Sequence, residues 1–597
     1  MPAKFICYSG CFLLFLFMIS CSPRISRDVS APDTAPVVLD EMLEKPSPKG
    51  FDVVETWPPE SLTGYLHAFA DSIVSAEVYK LGDEYIFSNT VLPNIYQKRL
   101  YIANWQNRKN REDAISSLEN SWIDGLEPAD YHLEAIRQLY DRIKASDHPT
   151  PADVAVLDIL ITDGLMLYAS HLIKGKIDPK TLDVSWNFSG RDLPKDAEKI
   201  FMDAIETNKI CEALYSLRPQ HPMYQRFIDE RIRYQRLKEN GGWGIVSINR
   251  TIKPGEKSPV PESLYQRLLA TSDITDSIQS IDSVYDGKLV EAVKQFQARH
   301  GLEPDGVIGK NTAEALNTSV DARIKQINVN MERMRWVVSD FSRDMVLINI
   351  AGYNLSLFHD SVRQFQTKVM VGTHYNQTPV LKSKLNYLVF NPSWSVPYSI
   401  ATKEILPKLQ EDSTYLAGKN MVLLSSQGKV VDPTTIDWKS VSANNFRYTV
   451  KQNPGPGNAL GTVKFMFPNN YSVYLHDTPS RYLFAREERA FSHGCIRVQN
   501  PLLLAEILLQ DKNWDMEKIS EVIVKGEEKA IHLKKPIDVF LFYWTSGFLD
   551  NGEIYFIRDV YNRDQKIDQG LKNHDWKDII ASRPKKMIGK QELADLP

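Results

Sequence analysis

The sequence predicts an α+β chain of several domains: a helical scaffold, a small compact helical unit and a β-rich domain. Three observations predict it. At ~100–200 residues per domain, the 597-residue chain holds roughly three or four domains. From about residue 61 to 257, apolar residues recur at three- and four-residue steps, the helical period. From about 325 to 544 the period switches to two, that of a half-buried strand. Hydrophobic residues are 43% and charged residues 24%, enough for large cores. The net charge of −4 removes the overall electrostatic case for nucleic-acid binding. A mean hydropathy of −0.32 and one long apolar run exclude a polytopic membrane protein.

That run, Ile6 to Ile19, follows Lys4 and ends Met18-Ile19-Ser20-Cys21. It is short for a transmembrane span and sits where a secretory signal sits. Ser20-Cys21 looks like the cleavage and lipidation site of bacterial lipoproteins, although Met18 stands where Leu is usual. The bland alternative is an ordinary signal peptide with an unrelated cysteine. On the lipoprotein reading, residues 1–20 are a signal peptide and Cys21 carries the membrane anchor, two acyl chains sufficing to hold it. Residues 21–60, with Pro32, Pro36, Pro46 and Pro48, form a flexible tether. The location expected is the periplasmic side of the cell envelope, at the outer membrane. Cys7 and Cys11 fall in the leader, leaving Cys211 and Cys495 in the body. Two thiols do not make a disulfide scaffold. A Cys211–Cys495 bridge is conceivable and would disable chemistry at Cys495.

Residues 61–257 read as a helical scaffold, with helical periodicity at Ala114–Trp122 and Ile136–Ile143 and a break at Gly125-Leu126-Glu127-Pro128. His67, His132, His148, His171 and His221 are scattered and read as structural. Residues 258–320 read as a compact unit. Leu289, Val293 and Phe296 share a helical face, with Asp286 placed to cap the helix and Gly301 to end it. A glycine-punctuated turn through Asp305-Gly306 and Ile308-Gly309 leads to a short helix, Thr312–Leu316. This unit resembles the small three-helix peptidoglycan-binding domain; the alternative is a spacer that kept the fold and lost the ligand.

Residues 321–544 read as the β-rich domain. Expected strands include Val346–Ile350, Leu355–Leu357, Val369–Val371, Tyr387–Phe390, Val463–Phe467 and Tyr471–Leu475. A polar, partly helical stretch at about 401–450 reads as an insertion covering the site. Residues 545–597 read as a tail with a hairpin and a polar helix; Asp559 and Asp564 read as solvated surface, a cation site being the alternative.

The chemistry lies between Tyr471 and Asn500. Pro468-Asn469-Asn470 marks a hairpin turn. Alternation along its second strand puts Ser472, Tyr474 and His476 on one face. Then come Ser492-His493-Gly494-Cys495-Ile496-Arg497 and a helix opened by Asn500 as cap and Pro501. A thiol of pKa about 8.5 is mostly protonated at neutral pH, and a nearby imidazole can take its proton or hold a thiolate–imidazolium pair. Backbone N–H groups around His493–Cys495 are natural donors to an oxyanion. Arg497 supplies positive charge for a thiolate or a substrate carboxylate.

With fifteen residues between His476 and Ser492, followed by Ser-His-Gly-Cys, the chain resembles the L,D-transpeptidases of the YkuD type. Gln377-Thr378-Pro379, Phe390-Asn391-Pro392-Ser393-Trp394, Asn453 to Gly461, and Tyr474 to Pro479 resemble the large multidomain branch of that family. That branch combines a helical scaffold, a peptidoglycan-binding domain and a catalytic domain with a capping insertion. The resemblance implies Cys495 as nucleophile and His476 as general base. It implies His493 and Gly494 shaping the oxyanion region, with Ser492, Tyr474 and Arg497 in support. His493 can equally serve only to orient the loop, Tyr474 to pack, and Arg497 to hold the helix entrance. The implied reaction joins peptidoglycan stem peptides 3→3 through a thioester with release of D-alanine. Carbapenem-type β-lactams are the implied covalent inhibitors. Water as acceptor would make the same site an L,D-carboxypeptidase. No cofactor is expected, and no metal, since His476, His493 and Cys495 have no further zinc ligand at a convincing spacing. A papain-like peptidase would need the cysteine before the histidine. A catalytically silent wall-binding lipoprotein would need a degenerate motif.

Overall fold

The computed structural model describes residues 59–74, 79–183, 185–275 and 283–574. The expected leader, the lipidated Cys21, nearly all of the tether and the end of the tail lie outside the described residues. Among those described, no helix is long and apolar enough to cross a membrane. The chain divides into two compact units. The first is drawn from the residues up to Trp122, Glu127–Ile173 and Leu193–Arg218, and the second from Ile123–Leu126, Lys174–Asp192 and everything from Pro219.

The first unit is helical, built on Pro151–Lys174, Arg108–Glu119, Leu133–Ala145 and Ala197–Glu206. The longest of these is buried on all sides from Leu157 to Leu165, so its polar residues must find partners inside. Asp158 accepts from the Tyr96 hydroxyl at 2.8 Å and the Trp105 amide at 2.9 Å. Asp163 accepts from the amides of Phe87 and Ser88 at 2.9 and 2.7 Å. It also meets His132 at 2.8 Å, whose other ring nitrogen lies 2.7 Å from Glu84. Glu84 sits on a two-stranded hairpin, Tyr79–Leu81 with Glu84–Ile86, that the helical period did not indicate.

In the second unit, helices Pro261–Ala270, Gly287–Arg299 and Lys310–Leu316 enclose an apolar core around Leu264, Leu268, Val293, Phe296 and Ile308. The residues carrying the peptidoglycan-binding resemblance do structural work. Gln297 donates to Val307 O and Thr312 Oγ1 and accepts from Gly306 N at 2.8 Å, pinning the glycine turn, where Gly306 has φ +74°. Asp286 occupies the N-cap position but makes no capping bond.

Nine strands form the main sheet: β1 (Met345–Asn349), β2 (Asn354–His359), β3 (Val362–Gly372), β4 (Leu381–Phe390), β5 (Val463–Met466), β6 (Leu475–His476), β7 (Ala490–Ser492), β8 (Ile496–Val498) and β9 (Lys529–Phe542). Their order is β7-β3-β8-β6-β5-β4-β9-β1-β2, and β2 pairs back onto β3, so eight strands close into a ring with β7 appended. Closure removes the exposed edges that an open sheet would leave. The expected hairpin is present, but its second strand is only Leu475–His476. The preceding residues leave the ladder because Ser472 takes φ +55° and Asn469 organises a wider loop. The Asn469 carbonyl oxygen accepts from Tyr471 N and Val473 N, and its amide donates to Val473 O at 2.7 Å.

The insertion is also more ordered than its polarity suggested. It begins at Trp394–Ser395 and carries a four-stranded sheet with Met421–Leu424, Val430–Val431 and Thr449–Gln452. Its own core includes Leu406, Leu409, Leu423, Trp438 and Val450. The strands are two to four residues long, too short to imprint a period on the sequence.

Two acidic residues of the tail are corrected by the fold. Asp559 accepts from the Tyr543 hydroxyl at 2.5 Å and from the amides of Arg563 and Asp564 where helix Asp564–Lys572 begins. Asp564 pairs with Arg333 at 2.7 Å and accepts from Thr545 Oγ1 at 2.6 Å. Neither is solvated surface. Arg333 comes from the distant helix Val320–Val337, a juxtaposition no local pattern contains.

Candidate active site

Strands β6 and β8 lie side by side and parallel, with Leu475 opposite Ile496 and His476 opposite Arg497. The Ile496 amide donates to Tyr474 O at 3.0 Å, extending the register one residue back to Tyr474 and Cys495. Leu475, Ile496 and Val498 are fully buried and face the core. Alternation therefore turns Tyr474, His476, Cys495 and Arg497 to the opposite face as a two-by-two patch. The rings of Tyr474 and His476 are 5.7 Å apart. Cys495 and His476 are diagonal neighbours, a separation that side chains can bridge. Cys495 is a free thiol, so no Cys211–Cys495 bridge forms.

His476 is buried and its Nδ1 lies 2.5 Å from Asp477 O. A carbonyl only accepts, so the proton sits on Nδ1 and the Nε2 lone pair is left for a substrate or thiol proton. Asp477 is fixed in turn, its Oδ2 accepting from Thr462 N at 2.9 Å and Thr462 Oγ1 at 2.8 Å. A Cβ at Gly461, which has φ +62°, would collide with that carboxylate. Sequence patterning gives Asp477 no role of its own beyond its place directly after His476.

Burial, together with the Arg497 charge, lowers the His476 pKa to about 3. Burial pushes the Cys495 thiol up, against the opposing pull of Tyr474 and Arg497. The resting pair is therefore neutral thiol and neutral imidazole. The thiol lies 3.6 Å from Ser472 O, to which its S–H donates. The left-handed turn at Ser472 that ended the strand is what presents this carbonyl. Burial and the neighbouring sulfur raise the Tyr474 phenol, which stays protonated.

The loop before Cys495 is tightly specified. Ser492 Oγ donates to Cys495 O at 2.5 Å and accepts from Gly494 N at 3.1 Å. The Gly494 amide is thus occupied by Ser492. The amides of His493 and Cys495 have no acceptor among the described residues. Gly494 has φ +117°, a conformation that disfavours a side chain. Its carbonyl accepts from Thr378 Oγ1 at 2.9 Å, and Thr378 also receives Gly372 N at 2.9 Å. Thr378 is fully buried and ties the catalytic loop to β3.

His493 departs from the patch. Its exposed ring meets Glu404 of the insertion at 2.6 Å. Glu404 lies in a single π-helical turn, Ala401–Ile405. The insertion thereby touches the catalytic loop two residues from the sulfur. Arg497 is half-buried, with Nε unpartnered and no carboxylate pairing with it among the described residues. Asn500 precedes helix Pro501–Leu509 without capping it, its side chain reaching Thr367 instead. Asn391 and Asn458 bond backbone carbonyls and shape the domain.

Residues 343–528 match the YkuD family, the L,D-transpeptidase catalytic domain. The region holding this patch is therefore similar to that class. The chain joins it to a region matching a scaffold domain over residues 90–230 and to one matching the "Putative peptidoglycan binding domain" over 263–316. A curated relative from Haemophilus influenzae, described as "Putative L,D-transpeptidase", is 38% identical over 259 residues, 43% of this chain and 52% of the relative. The chain spans about half the length of that relative. Among solved structures, the L,D-transpeptidase (residues 123–326) of Xylanimonas cellulosilytica is 15% identical, covering 50% of this chain and 99% of its own, with a TM-score of 0.17. The L,D-transpeptidase (Yku) of Stackebrandtia nassauensis is 14% identical, covering 50% and 96%, with a TM-score of 0.20. Superpositions this weak carry no argument about this chain. The family match ends at residue 528, directly before β9, yet β9 pairs with both β4 and β1 and is integral to the closed sheet.

Proposed function

We propose that this protein is a peptidoglycan L,D-transpeptidase that forms 3→3 crosslinks through a Cys495 thioester. The observation that carries the reading is the patch itself: a free thiol diagonal to a buried imidazole whose Nδ1 is pinned and whose Nε2 makes no hydrogen bond among the described residues. The donor amide joins the L-centre of the third stem residue, a diamino acid, to a terminal D-alanine. The sulfur swings from Ser472 O toward that carbonyl as His476 Nε2 takes its proton, so the thiolate forms only as the C–S bond forms. The oxyanion is received by the unoccupied amides of Cys495 and His493. Collapse breaks the C–N bond, the His476 proton passes to the departing amine, and D-alanine leaves. An amine of a second stem peptide then attacks the thioester, giving its proton to His476, which returns it to the sulfur. The bond energy of the donor amide is retained throughout, so no nucleotide is needed. The unpaired guanidinium of Arg497 fits a carboxylate of the donor peptide. The insertion, meeting the loop through Glu404 and His493, serves to keep water from the thioester. Lipid anchoring through Cys21 at the outer membrane, and wall binding by the region around 258–320, complete the proposal.

The test is digestion of sacculi incubated with the enzyme, followed by mass analysis. Crosslinked 3→3 stems are expected, and shortened stems alone would make the protein an L,D-carboxypeptidase. Intact-mass analysis with a carbapenem should give one adduct on the wild type and none on Cys495→Ala; an adduct on that variant overturns the nucleophile. Retention of Cys495→Ala by sacculi measures wall binding separately from catalysis.

A further inference from the structure

The row of residues that contains His476 does not end at the catalytic pair. Strand β5 runs antiparallel to β6 on the side away from β8, with Lys464 opposite His476 and Phe465 opposite Leu475. Phe465 and Leu475 are fully buried in the core, so Lys464 and His476 share the other face. The Asp477 amide donates to Val463 O at 2.9 Å. The next pair along, Lys464 and His476, is therefore a non-hydrogen-bonded one, the kind whose side chains stand closest. One row thus runs Lys464, His476, Arg497 across three strands, with Cys495 diagonal to His476 on the Arg497 side. Lys464 is half-buried and, among the described residues, makes no hydrogen bond and no ion pair. Its ammonium keeps contact with solvent. Burial lowers its pKa, while Glu528 and Lys451 act on it with opposite sign. Glu528 is held elsewhere, accepting from Ser393 N and Oγ at 3.2 and 2.6 Å. An ammonium that has given up part of its water without an anionic partner stands ready for one brought by a ligand.

The reaction fixes which anion arrives there. The attacked carbonyl must meet the sulfur beside β8, and the departing nitrogen must come within hydrogen-bond reach of His476 Nε2 on β6, about 3 Å. The leaving residue is thereby carried past His476 to the β5 side. The carboxylate carbon of D-alanine is two covalent bonds from its nitrogen, about 2.5 Å. It therefore lies within about 5–6 Å of the imidazole, the distance at which a directly opposite cross-strand side chain stands. Arg497, on the far side of His476, falls to the part of the donor before the scissile bond.

We propose that Lys464 is a specificity-determining residue, whose ammonium binds the free carboxylate of the leaving D-alanine and so selects donor stems in which that residue ends the chain. The inference rests on the transpeptidase reading above and assigns a residue that lies outside the Ser-His-Gly-Cys segment. The bond changes are those already described; D-alanine departs with its carboxylate on Lys464. Full-length enzyme is given two synthetic donor stems that differ only at the leaving residue, one ending in D-alanine and the other in D-alanine amide. Release of each leaving group is followed by mass spectrometry. The wild type should favour the carboxylate by about tenfold or more in kcat/KM. In Lys464→Gln the preference should fall to within about threefold, and Lys464→Arg should keep it. A merely structural role would slow both donors alike and leave the ratio intact. The same ratio in Lys464→Gln as in the wild type, or no preference in the wild type, overturns the role of Lys464 and leaves the transpeptidase reading standing. Release from neither donor by the wild type overturns that reading, and this inference with it.

Discussion

Alkylation of Cys495 across the pH range separates two resting states of the catalytic pair. Burial raises the thiol above its ordinary value, while burial and Arg497 bring His476 down to about 3. A thiol with an ordinary pKa of about 8.5 is about 3% ionised at pH 7, and a raised one is less so. Iodoacetamide reacts with the thiolate, so its rate at pH 7 is expected to be at least about thirtyfold below the rate at full ionisation. The logarithm of the rate should climb with unit slope from about pH 5 to beyond 9, read as labelling of the Cys495 peptide by mass spectrometry. His476→Ala should leave this profile nearly in place, because a neutral imidazole supplies no charge to the sulfur. The same substitution should slow acylation by a carbapenem by about 10²–10⁴-fold, the range for loss of a general base. A plateau of alkylation from about pH 4 to 8, abolished by His476→Ala, is the signature of a thiolate–imidazolium pair and would refute the neutral resting state.

Three further outcomes follow from other contacts. Burial opposes the charge on His132, but its bonds to Asp163 and Glu84 prevail and raise it from 6.5 to about 9. At about 1.4 kcal/mol per pH unit this is about 3 kcal/mol of stability, present below pH 6.5 and lost as pH rises to about 9. Chemical denaturation at pH 6 and 9 should show that loss in the wild type and little of it in His132→Gln; equal pH dependence in both removes His132 from the account. Thr378→Val leaves Gly494 O and Gly372 N unpaired, and should lower stability by about 1–3 kcal/mol and slow carbapenem acylation, with Thr378→Ser restoring both. His493→Ala should slow acylation by less than about tenfold, since its ring is exposed on Glu404 and outside the patch; a loss matching that of His476→Ala would make it a direct participant.

The helical period around Ile136–Ile143, the alternation at Val346–Ile350 and the placing of Tyr474 with His476 on one face were all readable because each depends on neighbours within a few residues. Local signals also misled. Asn500 and Asp286 stand at cap positions without capping, and a left-handed Ser472 cut short a strand whose alternation continued past it. The insertion concealed its sheet because its strands are so short.

By itself, the sequence determined which chemistry-bearing residues exist and in what frame: a histidine at a strand end, then Ser-His-Gly-Cys, then Arg497. Only the tertiary structure decided that β6 and β8 are parallel neighbours, that Asp477 sets the imidazole tautomer, that Gly494 N is occupied, and that Arg333 and Asp564 meet. The physical reason is range. Side-chain alternation is imposed by each residue's own backbone, whereas strand order and buried pairing are set by closing one sheet around one core, a condition on the whole chain at once.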